Sequence, residues 1–250
     1  MFKKLLQIGL DFLFPKNCLI CGEGEEFLCS KCFRNLKFID PKCLGCGGFS
    51  KLGEFCDKCK DNFHLKGVLV AGDFEDENLA KLIKFYKYNF ISDLSKNLAK
   101  FMINFLRNNI SLNPILINNI SWQNNLSLTL SSINSSKFLI IPVPLSKKRL
   151  KWRGFNQSEL LAKILSEEMG LKISLNLKRP VHKKAQAKLG QKERQENLVG
   201  CYKWSGESFV GENIIIVDDV CTTSSTLNEI AKELKKHQAG DVWGLVLAKG

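Results

Sequence analysis

Four apolar runs set the frame of this chain: Gly67–Phe74 (GVLVAGDF), Phe138–Val143 (FLIIPV), Ile214–Val217 within NIIIVDDV, and Gly240–Lys249 (GDVWGLVLAK). Near-continuous apolar runs of this length predict strands buried on both faces of a parallel sheet. Between them the spacing turns helical. Leu79, Leu82, Ile83 and Tyr86 share a face across Asn78–Tyr88, as do Leu94, Leu98, Phe101, Met102 and Phe105 across Ser92–Leu106. This pattern leaves Lys84, Lys87 and Lys96 on or near the opposite, solvent-facing surface. Asn156, with Glu159 three residues on, reads as the N-cap of a further helix, and Ser224–His237 as another. Strands alternating with helices predict an α/β fold with a doubly wound, mostly parallel sheet.

The chain before the first strand has a different texture. Met1–Phe14 predicts a short amphipathic helix: Asp11 interrupts its apolar part and no small-residue cleavage site follows, which argues against an export signal. No apolar run is long enough to span a membrane. With neither feature, the chain reads as cytoplasmic. The division expected is 1–62 for the helix and a Cys-rich unit and 63–250 for the α/β domain, with an Asn/Ser-rich connecting segment at about 108–136.

Eight of the ten cysteines form four Cys-x-x-Cys pairs: Cys18/Cys21, Cys29/Cys32, Cys43/Cys46 and Cys56/Cys59. Two such pairs close one tetrahedral four-thiolate site, so four pairs predict two zinc ions. A disulfide framework suits an exported chain better than this one. Consecutive pairing is expected, although the spacing also permits an interleaved one. With all eight thiolates spent on closing the sites, the zinc is structural. Phe27, Phe33, Phe38, Phe49 and Phe55 lie among lysines here. They are either stacking surfaces for single-stranded nucleic acid or the small cores of the ribbons.

A formal net charge of +12 favours polyanionic partners, either phosphorylated metabolites or nucleic acid. The run Ile214–Val217 leads into two carboxylates, Asp218 and Asp219, and then into Thr222, Thr223, Ser224, Ser225 and Thr226. A hydroxyl-rich turn entering a helix is an anion site, and adjacent carboxylates accept hydrogen bonds from vicinal sugar hydroxyls. Together they describe a sugar phosphate. Lys147, Lys148, Arg149, Lys151 and Arg153 follow another strand, where a basic loop is placed to hold pyrophosphate, with Gly154 allowing a sharp turn. Lys178–Gly200, carrying Arg179 and Arg194, is too polar to pack, and is either a lid over an anionic ligand or a solvated insertion.

The stretch Asn213–Leu227 resembles the phosphoribosyl pyrophosphate (PRPP) signature of type I phosphoribosyltransferases, with Ser224 where that signature usually has Gly. Together with IPVPLSKKRLKWRGFNQ (Ile141–Gln157), the segment Gln186–Gly200 and the four Cys-x-x-Cys pairs, most of the chain resembles the ComF competence family. That resemblance implies a double zinc ribbon joined to a type I phosphoribosyltransferase-like domain, and a role in uptake of single-stranded DNA during natural transformation. It implies that Asp218 and Asp219 bind ribose hydroxyls and Thr222–Thr226 the 5-phosphate. Lys147–Arg149 would lie at the pyrophosphate, Arg179–Asn197 would form a hood, and Mg2+ would arrive with PRPP.

Three functions are compatible with these residues. One is a PRPP- and DNA-binding protein of DNA import. Another is an active phosphoribosyltransferase or PRPP hydrolase with an unidentified acceptor. The third is a zinc-ribbon adaptor for a DNA-uptake helicase or recombination protein. No acceptor base is identifiable: His64, His182 and His237 are scattered. The chemistry has no need of a thiolate at Cys221, and Cys201 reads as a packing residue.

Overall fold

A computed structural model describes residues 16–88, 91–110, 138–180 and 199–250. The segment 1–14, the Asn/Ser-rich segment beyond residue 110, and most of the basic stretch, Arg194 included, lie outside the described residues. In chain order the elements are α1 (Ser30–Arg34), β1 (Gly67–Asp73), α2 (Glu77–Tyr88), α3 (Leu94–Ile110), β2 (Phe138–Pro142), α4 (Lys147–Arg153) and α5 (Gln157–Met169). They continue with β3 (Lys172–Ile173), β4 (Leu177–Lys178), β5 (Lys203–Trp204), β6 (Asn213–Cys221), α6 (Ser225–Lys236) and β7 (Val242–Lys249).

Among the described residues, five strands form one sheet in the order β1-β7-β6-β2-β3, every pairing parallel, while β4 and β5 make a separate antiparallel pair. The long apolar runs end up in the sheet because helices cover both faces. On one face Ile215, Val217, Leu245 and Leu247 pack with α2, α3 and α5. On the other, Ile214, Ile216 and Val246 pack with Leu227, Ile230 and Leu234 of α6.

This two-sided arrangement fixes where a ligand can sit. From β2 the chain crosses through α5 to β3, and from adjacent β6 it crosses through α6 to β7, on the other face. The connections therefore diverge between β2 and β6, and the crevice beyond their carboxyl ends is the topological switch point of the sheet.

The Cys-rich region is not an appendage. Leu28, Leu36 and Leu52 are buried in the same core as Leu98, Phe101 and Met102 of α3. Phe38 lies 4.8 Å from Phe101 and 5.9 Å from Phe105, ring centre to ring centre. Phe27 and Phe33 pack against this core, and Phe55 is buried in the core of the other face, stacked on Phe63 at 3.8 Å. Four of the five phenylalanines are therefore core residues, and only Phe49, 86% exposed, faces solvent.

The same region also covers the sheet edge at β1. Val68 N–H donates to Gly53 O at 2.9 Å, Phe55 N–H donates to Lys66 O at 3.0 Å, and Glu54 and Gly67 form an antiparallel bridge. Gly53 has φ +75°, and a Cβ there would sit 2.2 Å from the Val68 carbonyl oxygen, so no larger residue fits the junction. The start of this edge strand is thereby closed to pairing with another chain.

Candidate functional site

The four Cys-x-x-Cys pairs close in consecutive order. Cys18, Cys21, Cys29 and Cys32 form one cluster and Cys43, Cys46, Cys56 and Cys59 the other, the sulfurs of each lying within 4.8 Å of one another. Cys21 and Cys29 Sγ are 3.8 Å apart, and Cys46 and Cys56 Sγ 3.7 Å. A tetrahedron with Zn–S bonds of about 2.3 Å has edges of about 3.8 Å, so the donor set fits zinc. The two sites repeat each other in detail. Gly22 and Gly47 N–H close turns onto Cys18 O and Cys43 O at 2.8 Å, and Cys29 and Cys56 N–H donate to Cys18 and Cys43 Sγ at 3.5 and 3.4 Å.

Burial opposes ionisation of Cys18 and Cys43, but the surrounding backbone N–H donors outweigh it and bring the thiols to about 6 and about 7. Cys32 is pushed up to about 12 by burial and then by its neighbouring sulfurs. Cys59 is pushed up to about 12 by its bond with Cys56 and then by burial. Each site thus has one sulfur ready to ionise and one that gives up its proton when metal arrives.

At the switch point β6 runs further than its apolar part. Asp218 and Asp219 lie inside the strand, with Asp218 paired to Val246 and Val220 to Ala248, and not in the turn after it. Both carboxylates are held by helices of the same face, Asp218 by α5 and Asp219 by α2. Asp218 Oδ1 accepts from Ser158 Oγ of α5 at 2.8 Å and from the Asp219 N–H at 2.9 Å. Asp219 Oδ1 pairs with Lys87 Nζ of α2 at 2.8 Å, both side chains largely buried. Burial, then the charge of Asp219, push Asp218 up to about 7 against Ser158, the Asp219 N–H and Lys87.

Lys87 is therefore not a surface lysine. It stands four residues after Ile83 and seven after Ala80, both buried, which is the apolar face of α2. The helical spacing held this information, but the charge masked it. Ser158, 2% exposed at the second position of α5, has no comparable signal in the sequence.

The hydroxyl residues form the turn from β6 into α6. Thr222 is exposed, and Thr223, Ser225 and Thr226 are partly so, with Thr223 Oγ1 and Ser225 Oγ bonded at 2.9 Å. Ser224 is 4% exposed and takes φ +54°, the left-handed conformation that Gly adopts without strain. Ser keeps this turn because its hydroxyl is buried and accepts from Cys221 Sγ at 3.6 Å. Burial above all raises the Cys221 thiol, which therefore stays protonated. The first turn of α6 presents backbone N–H groups without intrahelical acceptors, and the helix dipole adds to their pull on an anion.

The basic segment after β2 is a two-turn helix, α4, and not a loop. Ser146 Oγ caps it by accepting from Arg149 N–H at 3.4 Å, and Gly154, at φ +75°, ends it by donating to Leu150 O at 2.8 Å. Ser, a run of good helix formers and Gly are the start, body and stop of a helix. Lys147, Lys148 and Arg149 are exposed. Arg153 is only 8% exposed and donates to Gln157 Oε1 at 3.1 Å, so it braces α4 against α5 and does not reach into solvent. Asn156 stands at the N-cap position of α5 without capping it. Its Nδ2 donates to Val143 O at 3.1 Å, tying the exit of β2 to α5, and Glu159 pairs with Lys163.

A cleft of about 470 Å³ opens beyond the carboxyl end of β2, lined in part by Pro144, Lys147, Asn156, Lys178 and Arg179. The Arg179 guanidinium lies 5.3 Å from the Tyr202 ring centre. Asn156 lines this cleft, and two residues later Ser158 bonds Asp218, so one turn of α5 joins cleft and acid pair. Lys147 and Arg179 are brought together here. Lys148 and Arg149 do not line the cleft.

A double zinc ribbon family model matches residues 9–60. Over 246 residues the chain is 30% identical to competence protein F of Haemophilus influenzae, covering 94% of this chain and 98% of that one. It is 32% identical over 133 residues to competence protein ComFC of Bacillus subtilis, about half of each chain. It is also 37% identical over 109 residues to DNA utilization protein YhgH of Escherichia coli K12, again less than half of each chain. Among the described residues, no helix is long and apolar enough to cross a membrane.

Proposed function

Because the chain belongs to the ComF competence family, we propose that it is a DNA-handling protein of natural transformation that binds PRPP with Mg2+ at the β6–α6 turn and holds single-stranded DNA. One observation carries the reading: an acid pair, a hydroxyl turn and a helix N-terminus follow one another at the carboxyl end of β6, at the sheet's switch point, and basic residues line a cleft beyond the carboxyl end of the neighbouring β2. In this reading Thr222–Thr226 and the first N–H groups of α6 hold the 5-phosphate. Asp218 and Asp219 accept from the ribose hydroxyls. Lys147 and Arg179 flank the pyrophosphate, and Lys148 and Arg149 attract the DNA backbone.

Mg2+ suits the hard oxygens of the acid pair and of pyrophosphate, and when bound would offset the charge that gathers there. Lys87 already neutralises one carboxylate, which lets the site stand without a ligand. A cytoplasmic setting fits the reduced thiols that the zinc sites need. The printed names of the relatives, competence protein and DNA utilization protein, support the DNA half of the reading.

The test is labelled PRPP incubated with the zinc-loaded protein, with and without single-stranded DNA, and scored for both retention and release of pyrophosphate. Retention should need Mg2+ and should fall at least about a hundredfold in Asp218→Ala. No retention at any Mg2+ concentration overturns the ligand assignment. Release of pyrophosphate that depends on Asp218 would extend it to catalysis.

A further inference from the structure

We propose that Tyr88 and Trp152 form a stacking platform for a base of single-stranded nucleic acid, an inference that rests on the DNA half of the function proposed above. The two rings are 52% and 56% exposed, and their centres lie 6.0 Å apart at an angle of 55°. Large aromatic surface left in water at two adjacent positions is unusual unless something covers it.

The pair is held in place from beneath. The Arg153 guanidinium lies 5.4 Å from the Tyr88 ring centre and 5.9 Å from that of Trp152, and its Nη1 donates to Gln157 Oε1. Gln157, 1% exposed, in turn accepts from Tyr86 Oη at 2.8 Å through its carbonyl oxygen. The rings are therefore presented by a buried cation and not by a flexible loop, so little order must be gained on binding.

The surroundings identify the occupant. Lys147, Lys148, Arg149 and Lys151 share the short helix of Trp152, and all are exposed. None of the four forms an ion pair among the described residues. Exposed cations beside aromatic faces match a ligand that alternates phosphates with planar bases. Leu150, 43% exposed, is the one large aliphatic residue beside them on α4, too little apolar surface to anchor the protein in a lipid layer.

The platform also connects to the acid pair. Lys87, next to Tyr88, bonds Asp219, and Ser158, next to Gln157, bonds Asp218. A strand stacked here would run alongside the sugar-phosphate crevice.

The experiment compares fluorescence anisotropy of a labelled oligothymidylate with that of an abasic strand of equal length, bound to the full-length, zinc-loaded protein. With base stacking of about 1–3 kcal/mol per base, the wild type should bind the thymidylate about tenfold more tightly or better. Tyr88→Ala/Trp152→Ala should abolish that preference while retaining zinc, and Tyr88→Phe/Trp152→Phe should keep it. Equal binding of both strands by the wild type would leave the DNA reading intact and overturn the platform. So would a preference that survives in the double alanine variant. Binding of neither strand overturns both. Binding to anionic phospholipid vesicles that depends on Trp152, with no preference for bases, would assign the patch to a membrane surface and also overturn the proposal.

Discussion

Removing zinc is expected to unfold far more than the ribbons. A structural zinc site contributes on the order of 10 kcal/mol or more to the segment that it closes. The segments here have little apolar substance of their own, but Leu28, Leu36, Leu52 and Phe38 complete the core around α3, and residues 53–55 cap β1. Losing the ribbons would expose that core and the sheet edge together. Cys18→Ser and Cys43→Ser should each release one zinc of two, measured with a colorimetric chelator. Full chelation should abolish the cooperative thermal transition seen by circular dichroism. An unchanged melting temperature in the metal-free protein would show instead that the α/β domain stands alone.

The second large effect has the opposite sign. Asp218→Asn is expected to stabilise the ligand-free protein at pH 8. In the folded protein burial and the Asp219 charge hold the Asp218 carboxyl to about 7, whereas its ordinary value is 3.8. Between those values the folded state keeps a proton that the unfolded state has lost. Stability therefore falls as pH rises from about 4 to about 7, and the cost is complete above 7. A shift of about three units corresponds to about 4 kcal/mol at most, and partial access to solvent brings the expected gain nearer 2 kcal/mol. The amide can still accept from Ser158 Oγ and from the Asp219 N–H, so the geometry survives. Urea unfolding at pH 8 and pH 4 reads this out: a gain at pH 8 should vanish at pH 4. Equal effects at both values would mean that the carboxylate is not held against its own charge. PRPP retention should be lost in the same variant.

The parts of this molecule that repeat with a period could be read from its sequence. The apolar runs became β1, β2, β6 and β7, the amphipathic spacings became α2, α3, α5 and α6, and the Cys-x-x-Cys pairs became the two metal sites. Two features have a sequence signal that charge conceals. The basic segment carried a helix start and stop, Ser146 and Gly154, and its charge suggested a loop. Lys87 sat on the apolar face of α2, and a charged residue is by default assigned to solvent.

Other features had no local signal. The strand continues through Asp218 and Asp219 because β7 pairs along its whole length, which depends on residues some 28 positions away. The partnership of Ser158 with Asp218 spans 60 residues, and the contact between Tyr88 and Trp152 joins two helices separated in the chain by α3 and β2. The phenylalanines of the Cys-rich region allowed two readings, and tertiary packing decided for the core in four of the five.

Calorimetric titration of the zinc-loaded protein with PRPP, ribose 5-phosphate and pyrophosphate, each with Mg2+, tests most directly whether the acid pair reads a sugar while the hydroxyl turn reads its phosphate. PRPP should bind at least about tenfold more tightly than either fragment, and Asp218→Ala should weaken PRPP and ribose 5-phosphate far more than pyrophosphate. Pyrophosphate binding as tightly as PRPP, with Asp218→Ala affecting none of the three, would contradict this reading.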